Sequence, residues 1–266
     1  MLTLFGLPKG NVKDVVNGTI AIIGARVTST KITKKAGIDK APIVIRKLSN
    51  LYSGVIRRGQ SYIILHEKDI IDLGDFTSNE LPDVIAKVLS LGGKVLLIGG
   101  DHASTFYALE KVNVPEILWL DAHLDVGQKE KLNHSNALRA LIERKKNINA
   151  IVYGFRGYSS FANELIEAGK LGIKVLDLDN HNDFERLLNK SYAISLDVDF
   201  FSAEFFSSTV FPEVRGMNPS EFIDIIRRLE LKANYFDVVE YSPKLDVTKK
   251  DGKILVQMIA EVLASL

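Results

Sequence analysis

The stretch Glu116-Ile117-Leu118-Trp119-Leu120-Asp121-Ala122-His123-Leu124-Asp125 constrains this chain more than any other. An apolar run rich in branched and aromatic residues reads as a strand buried on both faces, the environment of a parallel sheet covered by helices. The run stops in three ligand-type side chains at alternate positions, Asp121, His123 and Asp125. If strand geometry persists through its end, side chains two apart point to one side and the three converge. Burying such groups together is costly unless a cation joins them, so a polar strand end that merely meets water is the weaker reading. In open α/β sheets, chemistry gathers at the carboxyl ends of the strands.

The pattern recurs along the chain. Lys94-Val95-Leu96-Leu97-Ile98 breaks at Gly99-Gly100 and delivers Asp101-His102. The glycines permit a sharp turn and close backbone approach. A lone histidine at such a turn is more often structural than a ligand, but His102 comes shortly before the first cluster. Tyr192-Ala193-Ile194-Ser195-Leu196 runs into Asp197 and Asp199. On one face of a buried strand those two carboxylates repel and lose solvation, problems that a divalent cation removes. Tyr235-Phe236-Asp237-Val238-Val239 ends in a further acid, Glu240. His134 lies in the loop before a helix expected from residue 137. Taken alone it is an ordinary loop histidine; beside the preceding strand end it becomes a proton-transfer candidate.

Between these segments the spacing predicts strands at 19–24, 61–65, 70–74, 150–154 and 174–178. Helices are expected at 41–48, 81–91, 103–112, 161–171, 220–229 and 252–264, with Ser220 as a cap. The lysine-rich segment 28–40 lacks apolar periodicity and reads as a long surface loop. Strands and helices alternate at roughly 25 to 35 residues, the period of successive βαβ units, which predicts a doubly wound α/β fold with a mainly parallel sheet. Neither a repeat nor a linker interrupts residues 1–266, which are expected to form a single domain. At 46% hydrophobic residues, the chain can fill one large core.

With 34 basic and 33 acidic residues the formal charge is +1, which gives no bulk electrostatic case for nucleic acid or an anionic membrane. The absence of cysteine excludes disulfides, thiolate metal sites and cysteine nucleophiles, so a transition metal must use histidine and carboxylates. Without a signal-type amino terminus or a stretch of membrane-spanning length, a cytoplasmic location is expected. Together the strand ends offer His102, Asp121, His123, Asp125, Asp197 and Asp199, more ligands than one tetrahedral zinc takes. Such an oxygen-rich set suits two divalent ions about 3.5–4 Å apart and favours manganese, a combination that supplies hydroxide for hydrolysis near neutral pH.

Gly99-Gly100-Asp101-His102, Asp121-Ala122-His123-Leu124-Asp125 and Ser195-Leu196-Asp197-Val198-Asp199 closely resemble the three metal-binding signatures of the ureohydrolase family of arginases, agmatinases and formiminoglutamases. The resemblance runs from about residue 94 to 243, and more weakly over 41–49. It implies a three-layer α/β/α sandwich with a central, mainly parallel sheet of about eight strands, and two Mn2+ per chain. His102 and Asp125 would hold one ion and His123 and Asp199 the other, with Asp121 and Asp197 shared between them. Glu240 matches the carboxylate that pairs with a guanidinium-like group, and His134 matches the loop histidine that shuttles protons. In the implied reaction, hydroxide attacks the guanidinium carbon, Asp125 relays the proton, and urea and an amine are released. Family members are commonly homo-oligomers, trimers or hexamers.

The chain departs from the family in loops rather than ligands. Ser135 stands where a glycine is usual, Ser202-Ala203 where Asp-Pro is usual, and Phe211-Pro212-Glu213-Val214-Arg215-Gly216 keeps part of a Pro-Glu-Pro-Gly-Gly pattern. The loop from Asp125 to His134 lacks the longer Asn/Ser-bearing segment of arginases. Tyr153-Gly154-Phe155-Arg156-Gly157 resembles the Gly-Ile-Arg-Gly element of agmatinase-like members. Agmatine or a related guanidino compound is therefore expected over arginine. Formiminoglutamate stays open, because Arg139, Arg156 or Arg215 offers a partner for its carboxylates. A metal-binding but catalytically weak paralogue, acting as an assembly or regulatory subunit, is the alternative of another class.

Overall fold

The computed structural model describes residues 2–145, 147–157, 163–179 and 181–266. In chain order the elements are β1 (Ile20–Ala25), α1 (Lys31–Ala36), α2 (Ala41–Ser49), β2 (Val55–Arg58), β3 (Ser61–Ile64), β4 (Ile70–Phe76), α3 (Leu81–Ser90), β5 (Lys94–Ile98) and α4 (Ala103–Leu109). The chain continues through β6 (Glu116–Leu120), α5 (Ala137–Lys145), β7 (Asn149–Tyr153), α6 (Glu164–Lys170), β8 (Lys174–Leu176), α7 (His181–Lys190), β9 (Ala193–Asp197), α8 (Pro219–Arg228), β10 (Tyr235–Val239) and α9 (Lys250–Ser265). Eight strands form one sheet in the order β4-β1-β5-β10-β9-β6-β7-β8, every pairing parallel.

Alternation along the apolar strands supplies both faces of this sheet. Ile22, Leu96, Leu118 and Ile194 pack with Ile45 of α2, Phe222 of α8 and Ile259 of α9. Their sequence neighbours Ile23, Leu97, Trp119 and Ala193 pack on the opposite side with Ile85 of α3, Leu109 of α4 and Leu141 of α5. A continuous apolar run thus feeds two helical layers, and the sandwich expected from the sequence follows.

β9 and β10, the last strands made, insert between β5 and β6. The central strands β5, β10, β9 and β6 therefore come from separated parts of the chain, and their carboxyl ends open at a change in strand order, where such sheets bind ligands.

The structure corrects four local expectations. Residues 28–40 are not an open loop: α1 starts at the Thr30 cap, whose side chain accepts the Thr33 N–H, and ends at Gly37 with φ 70°, before a 3-10 turn over Ile38–Lys40. Of α1 only Thr33 is buried, so the helix has no apolar stripe to read. β2 went unread because only Ile56 of its four residues is buried; it pairs with β3 in an antiparallel hairpin outside the main sheet. α8 is capped by Asn218, whose side chain accepts the Ser220 N–H at 2.8 Å, with Pro219 as first helical residue. The helix expected at 161–171 runs from Glu164 to Lys170, and its expected first two residues lie outside the described residues.

Candidate metal and substrate site

After β5, Gly100 lies against the backbone of Val27, where a Cβ would collide with the Val27 carbonyl. That approach lets Asp101 N–H reach the same carbonyl at 3.1 Å and turns His102 into the N-cap position of α4. The fully buried Asp101 accepts hydrogen bonds from Ser29 Oγ at 2.7 Å and Thr33 Oγ1 at 2.9 Å. Ser29 Oγ in turn accepts His134 N–H at 3.0 Å. The segment that the sequence offered as loop therefore braces His134 directly and, through Asp101, the turn that carries His102.

The first cluster converges by a different route from the one its spacing suggested. β6 ends at Leu120, and beyond it the chain leaves strand geometry, with Asp125 at φ 50°. The carboxylates fix the turn themselves. Asp121 Oδ1 accepts His123 N–H at 2.6 Å, and Asp199 Oδ1 accepts Ala122 N–H at 3.1 Å. Asp197 closes β9, whereas Asp199 belongs to a 3-10 turn over Val198–Phe200 and gives its N–H to Asp197 Oδ1 at 2.9 Å.

His102 Nδ1 stands 3.2 Å from Asp121 Oδ2, 2.9 Å from Asp125 Oδ2 and 3.3 Å from Asp197 Oδ2. His123 Nδ1 stands 3.4 Å from Asp121 Oδ1 and 3.0 Å from Asp199 Oδ2. Two ligand groups result, His102–Asp121–Asp197 and Asp121–His123–Asp199, joined by the two oxygens of Asp121. Asp197 faces the His102 group through Oδ2 and spends Oδ1 on the Asp199 N–H.

Residues of this kind fit divalent cations on two observations. His102 Nδ1 and Asp125 Oδ2 are buried with no hydrogen-bond partner, although oxygens crowd around the ring nitrogen. Electrostatics points the same way. Burial, then the charge of Asp121, pushes the Asp125 carboxyl up to about 7. Burial, then Asp199 and Asp121, also raises Asp197 well above the usual carboxylate range. Burial opposes charge on His102 as well, yet the surrounding carboxylates hold its pKa well above the ordinary imidazole value. The cluster calls for positive charge between its oxygens, which protons supply in part and cations supply fully.

A second layer orients the first. Asp237 is fully buried and accepts from Ser195 Oγ at 2.7 Å, Thr105 Oγ1 at 2.8 Å and the Tyr235 hydroxyl at 2.6 Å. Because Ser195 gives its only hydrogen to Asp237, it accepts from His102 Nε2 at 2.9 Å, which aims the Nδ1 lone pair at the carboxylates. Trp119 stacks on His102 with centroids 3.9 Å apart and donates to Asp121 Oδ2 at 3.0 Å. Asp237→Asn should weaken divalent-cation affinity about 10- to 100-fold, as changes behind metal-binding histidines do. Titration of the metal-free protein with Mn2+ checks this, and unchanged affinity would refute the orienting role.

A cavity of about 230 Å3 opens over the cluster. Among the described residues it is lined by His102, His123, Asp125, Asp197 and Asp199, with His134, Ser135, Glu164, Thr209, Phe211 and Glu240 around them. Glu240 follows β10 at φ 66°, and its Oε1 accepts His102 N–H at 2.8 Å. Asp125 and Glu240 are thus both held in left-handed backbone, which costs on the order of 1–3 kcal/mol each and is tolerated where surrounding contacts over-determine it. His134 stacks on Phe211 with centroids 5.8 Å apart, and its Nδ1 is buried without a partner.

None of the three arginines considered for a substrate carboxylate lines this cavity. Arg139 donates to the carbonyls of Val126 and Gly127 and to Glu167, while Arg156 donates to the carbonyls of Gly154, Phe200 and Asp199. Arg215 lines a separate cavity with Arg156. No sequence signal pointed to Glu164 or Thr209, whereas Phe211 opens the 211–216 loop that keeps part of the family pattern. Glu213 likewise stands 3.6 Å from His123 Nε2. A larger cavity of about 480 Å3 lies between the β2–β3 hairpin and α9, away from these residues. Among the described residues, no helix is long and apolar enough to cross a membrane.

A parallel α/β/α sandwich that gathers histidines and carboxylates at four adjacent strand ends defines a metallohydrolase type of architecture. Residues 18–265 match the model of the arginase family, and the chain belongs to that family of C–N bond hydrolases. It is 25% identical to the mitochondrial guanidino acid hydrolase of Homo sapiens, over 92% of this chain and 78% of that protein. It is 26% identical to the agmatinase of Pyrococcus horikoshii, over 86% of each chain. The structure of proclavaminate amidino hydrolase from Streptomyces clavuligerus superposes with a TM-score of 0.80 at 23% identity, covering 100% of this chain and 96% of that one.

Proposed function

We propose that this enzyme hydrolyses the terminal C–N bond of a small guanidino compound, preferring agmatine-like substrates and releasing urea and an amine. The observation that carries the reading is the pair of ligand groups sharing Asp121, with Glu240 and His134 in the same cavity. His102, Asp121, His123, Asp125, Asp197 and Asp199 would hold two divalent cations, manganese by the oxygen-rich donor set. When bound, such a pair makes water a hydroxide nucleophile near neutral pH.

The protein's own groups do the rest. Glu240 receives the planar guanidinium and orients its carbon toward the cluster; addition of hydroxide cancels that positive charge as the carbon becomes tetrahedral, and the proton placed on the departing nitrogen restores it beside the carboxylate. Asp125, whose Oδ2 is buried and has no hydrogen-bond partner, takes the proton of the attacking water and hands it to the departing nitrogen. His134, half-buried on the cavity wall, exchanges protons between this site and solvent. Burial of the cluster limits competing water and strengthens each charge interaction.

A panel of guanidino compounds assayed for urea release with added Mn2+ tests the proposal. Agmatine is expected to be turned over faster than arginine or 4-guanidinobutyrate. Formamide release from formiminoglutamate with no urea from the panel would reject it. Cation loading is checked separately: elemental analysis should approach two manganese ions per chain. The melting temperature should rise on loading, because a ligand bound 100-fold above its Kd adds about 2.7 kcal/mol to stability. Saturation at one ion would contradict the two-group arrangement.

A further inference from the structure

The turn after β7 lies behind the His123–Asp199 half of the cluster. β7 pairs with β6, and β6 with β9, so the carboxyl ends of these three strands stand side by side. Gly154, at φ 104°, brings the chain so close that a Cβ there would collide with the Phe200 ring and press on the Asp121 carbonyl. That approach carries Arg156 to the backs of both ligand turns. Its backbone N–H donates to the Ala122 carbonyl at 3.1 Å. Its guanidinium grips the 3-10 turn after β9, Nη2 donating to the Asp199 carbonyl and Nη1 to the carbonyls of Phe200 at 3.4 Å and Gly154 at 2.9 Å.

A closed ring of hydrogen bonds results. Arg156 holds the Asp199 carbonyl, Asp199 Oδ1 accepts the Ala122 N–H at 3.1 Å, and the Ala122 carbonyl accepts the Arg156 N–H. The ring commits one oxygen of Asp199 to the backbone and leaves Oδ2 facing His123 Nδ1, 3.0 Å away. Arginine suits this task, because a planar fork with several donors holds carbonyls of successive residues at once, where lysine offers a single point charge. Half-buried Arg156 lines no part of the cavity over the cluster, so it acts through the backbone it holds. His102 is supported from elsewhere, by Ser195 with Asp237 and by Glu240. The two halves of the cluster thus have separate braces.

We propose that Arg156 is the positioning residue of the His123–Asp199 half, and that it sets the affinity for one of two cations while the Ser195–Asp237 relay sets the other. The inference rests on the two-cation reading of the site. Metal-free wild type, Arg156→Gln and Arg156→Lys are titrated with Mn2+, with free and bound ion followed by electron paramagnetic resonance. Wild type should take two ions and show the exchange-coupled signal of a pair. In Arg156→Gln one ion should keep its affinity to within about threefold and the other should bind about 10- to 100-fold more weakly. At concentrations that fill both wild-type sites, the coupled signal should give way to that of an isolated ion. Arg156→Lys, which keeps the charge and one donor, should recover part of the loss.

A second comparison assigns the weakened site. On a His123→Ala background, which has already lost that ion, Arg156→Gln should change the remaining affinity by less than about threefold; a further loss of about tenfold or more there overturns the proposal. A wild type that saturates at one ion overturns the two-cation reading and the proposal together. With two ions bound in the wild type, equal affinities in all three proteins overturn the proposal alone, as does a parallel weakening of both ions, the mark of a merely structural residue. Melting of the metal-free proteins reports folding, and Arg156→Lys carries the same comparison if glutamine unfolds the chain.

Discussion

Asp121→Asn lowers kcat/KM for the best guanidino substrate by about three to four powers of ten, the equivalent of several kcal/mol of lost charge stabilisation. Asp121 is the carboxylate common to both ligand groups, with Oδ2 at 3.2 Å from His102 and Oδ1 at 3.4 Å from His123. An amide offers one oxygen in place of two and no negative charge, so two cations would face each other across a gap that is no longer neutralised. The metal-free fold should survive with a modest loss. Asp121 accepts both Trp119 Nε1–H and His123 N–H, and an amide can satisfy only one of these donors. Leaving the other buried and unpaired costs about 1–3 kcal/mol. Urea release, manganese content and melting temperature with and without Mn2+ on one preparation check the forecast. Substantial turnover, or a manganese-induced stabilisation equal to that of the wild type, would sink the shared role.

Glu240→Gln should lower kcat/KM by about 3–5 kcal/mol, two to four powers of ten, while manganese content stays near wild type. Charge is what the variant removes. Glu240 Oε1 accepts His102 N–H at 2.8 Å, and the amide oxygen of glutamine can keep that bond. Alanine cannot, so Glu240→Ala should disturb the His102 turn and lower metal occupancy along with activity. The contrast separates guanidinium recognition from the support of His102. If Glu240 were only a strand-end acid, the glutamine variant would keep its activity; if it were a ligand, occupancy would fall with the first substitution.

Much of the architecture was legible because burial leaves a periodic trace. Runs such as 95–98 and 117–120 are apolar at every position and 193–196 at all but Ser195, the pattern of a strand covered on both faces, and each breaks in ligand-type residues at its carboxyl end. α1 and β2 left no such trace, since each buries a single residue. Ser29 and Thr33 were equally unreadable. Their hydrogen bonds to Asp101 span about seventy residues of chain, as the separations of 72 and 68 show.

The sequence by itself determined the sheet, its two helical layers and the inventory of histidines and carboxylates, because hydrophobic patterning and residue chemistry are local properties. Only the tertiary structure decided how the inventory is used. Strand order set β10 and β9 between β5 and β6, which brought Glu240 onto the His102 turn. The left-handed backbone of Asp125 and the capping bonds of Asp121, Asp197 and Asp199, rather than strand alternation, drew the ligands together. The cavity wall, with Glu164 and Phe211, was assembled from segments that share no motif. The physical reason is that a pocket is a set of contacts between distant residues, whose orientation depends on which strands lie side by side and which loops bend against the local periodicity.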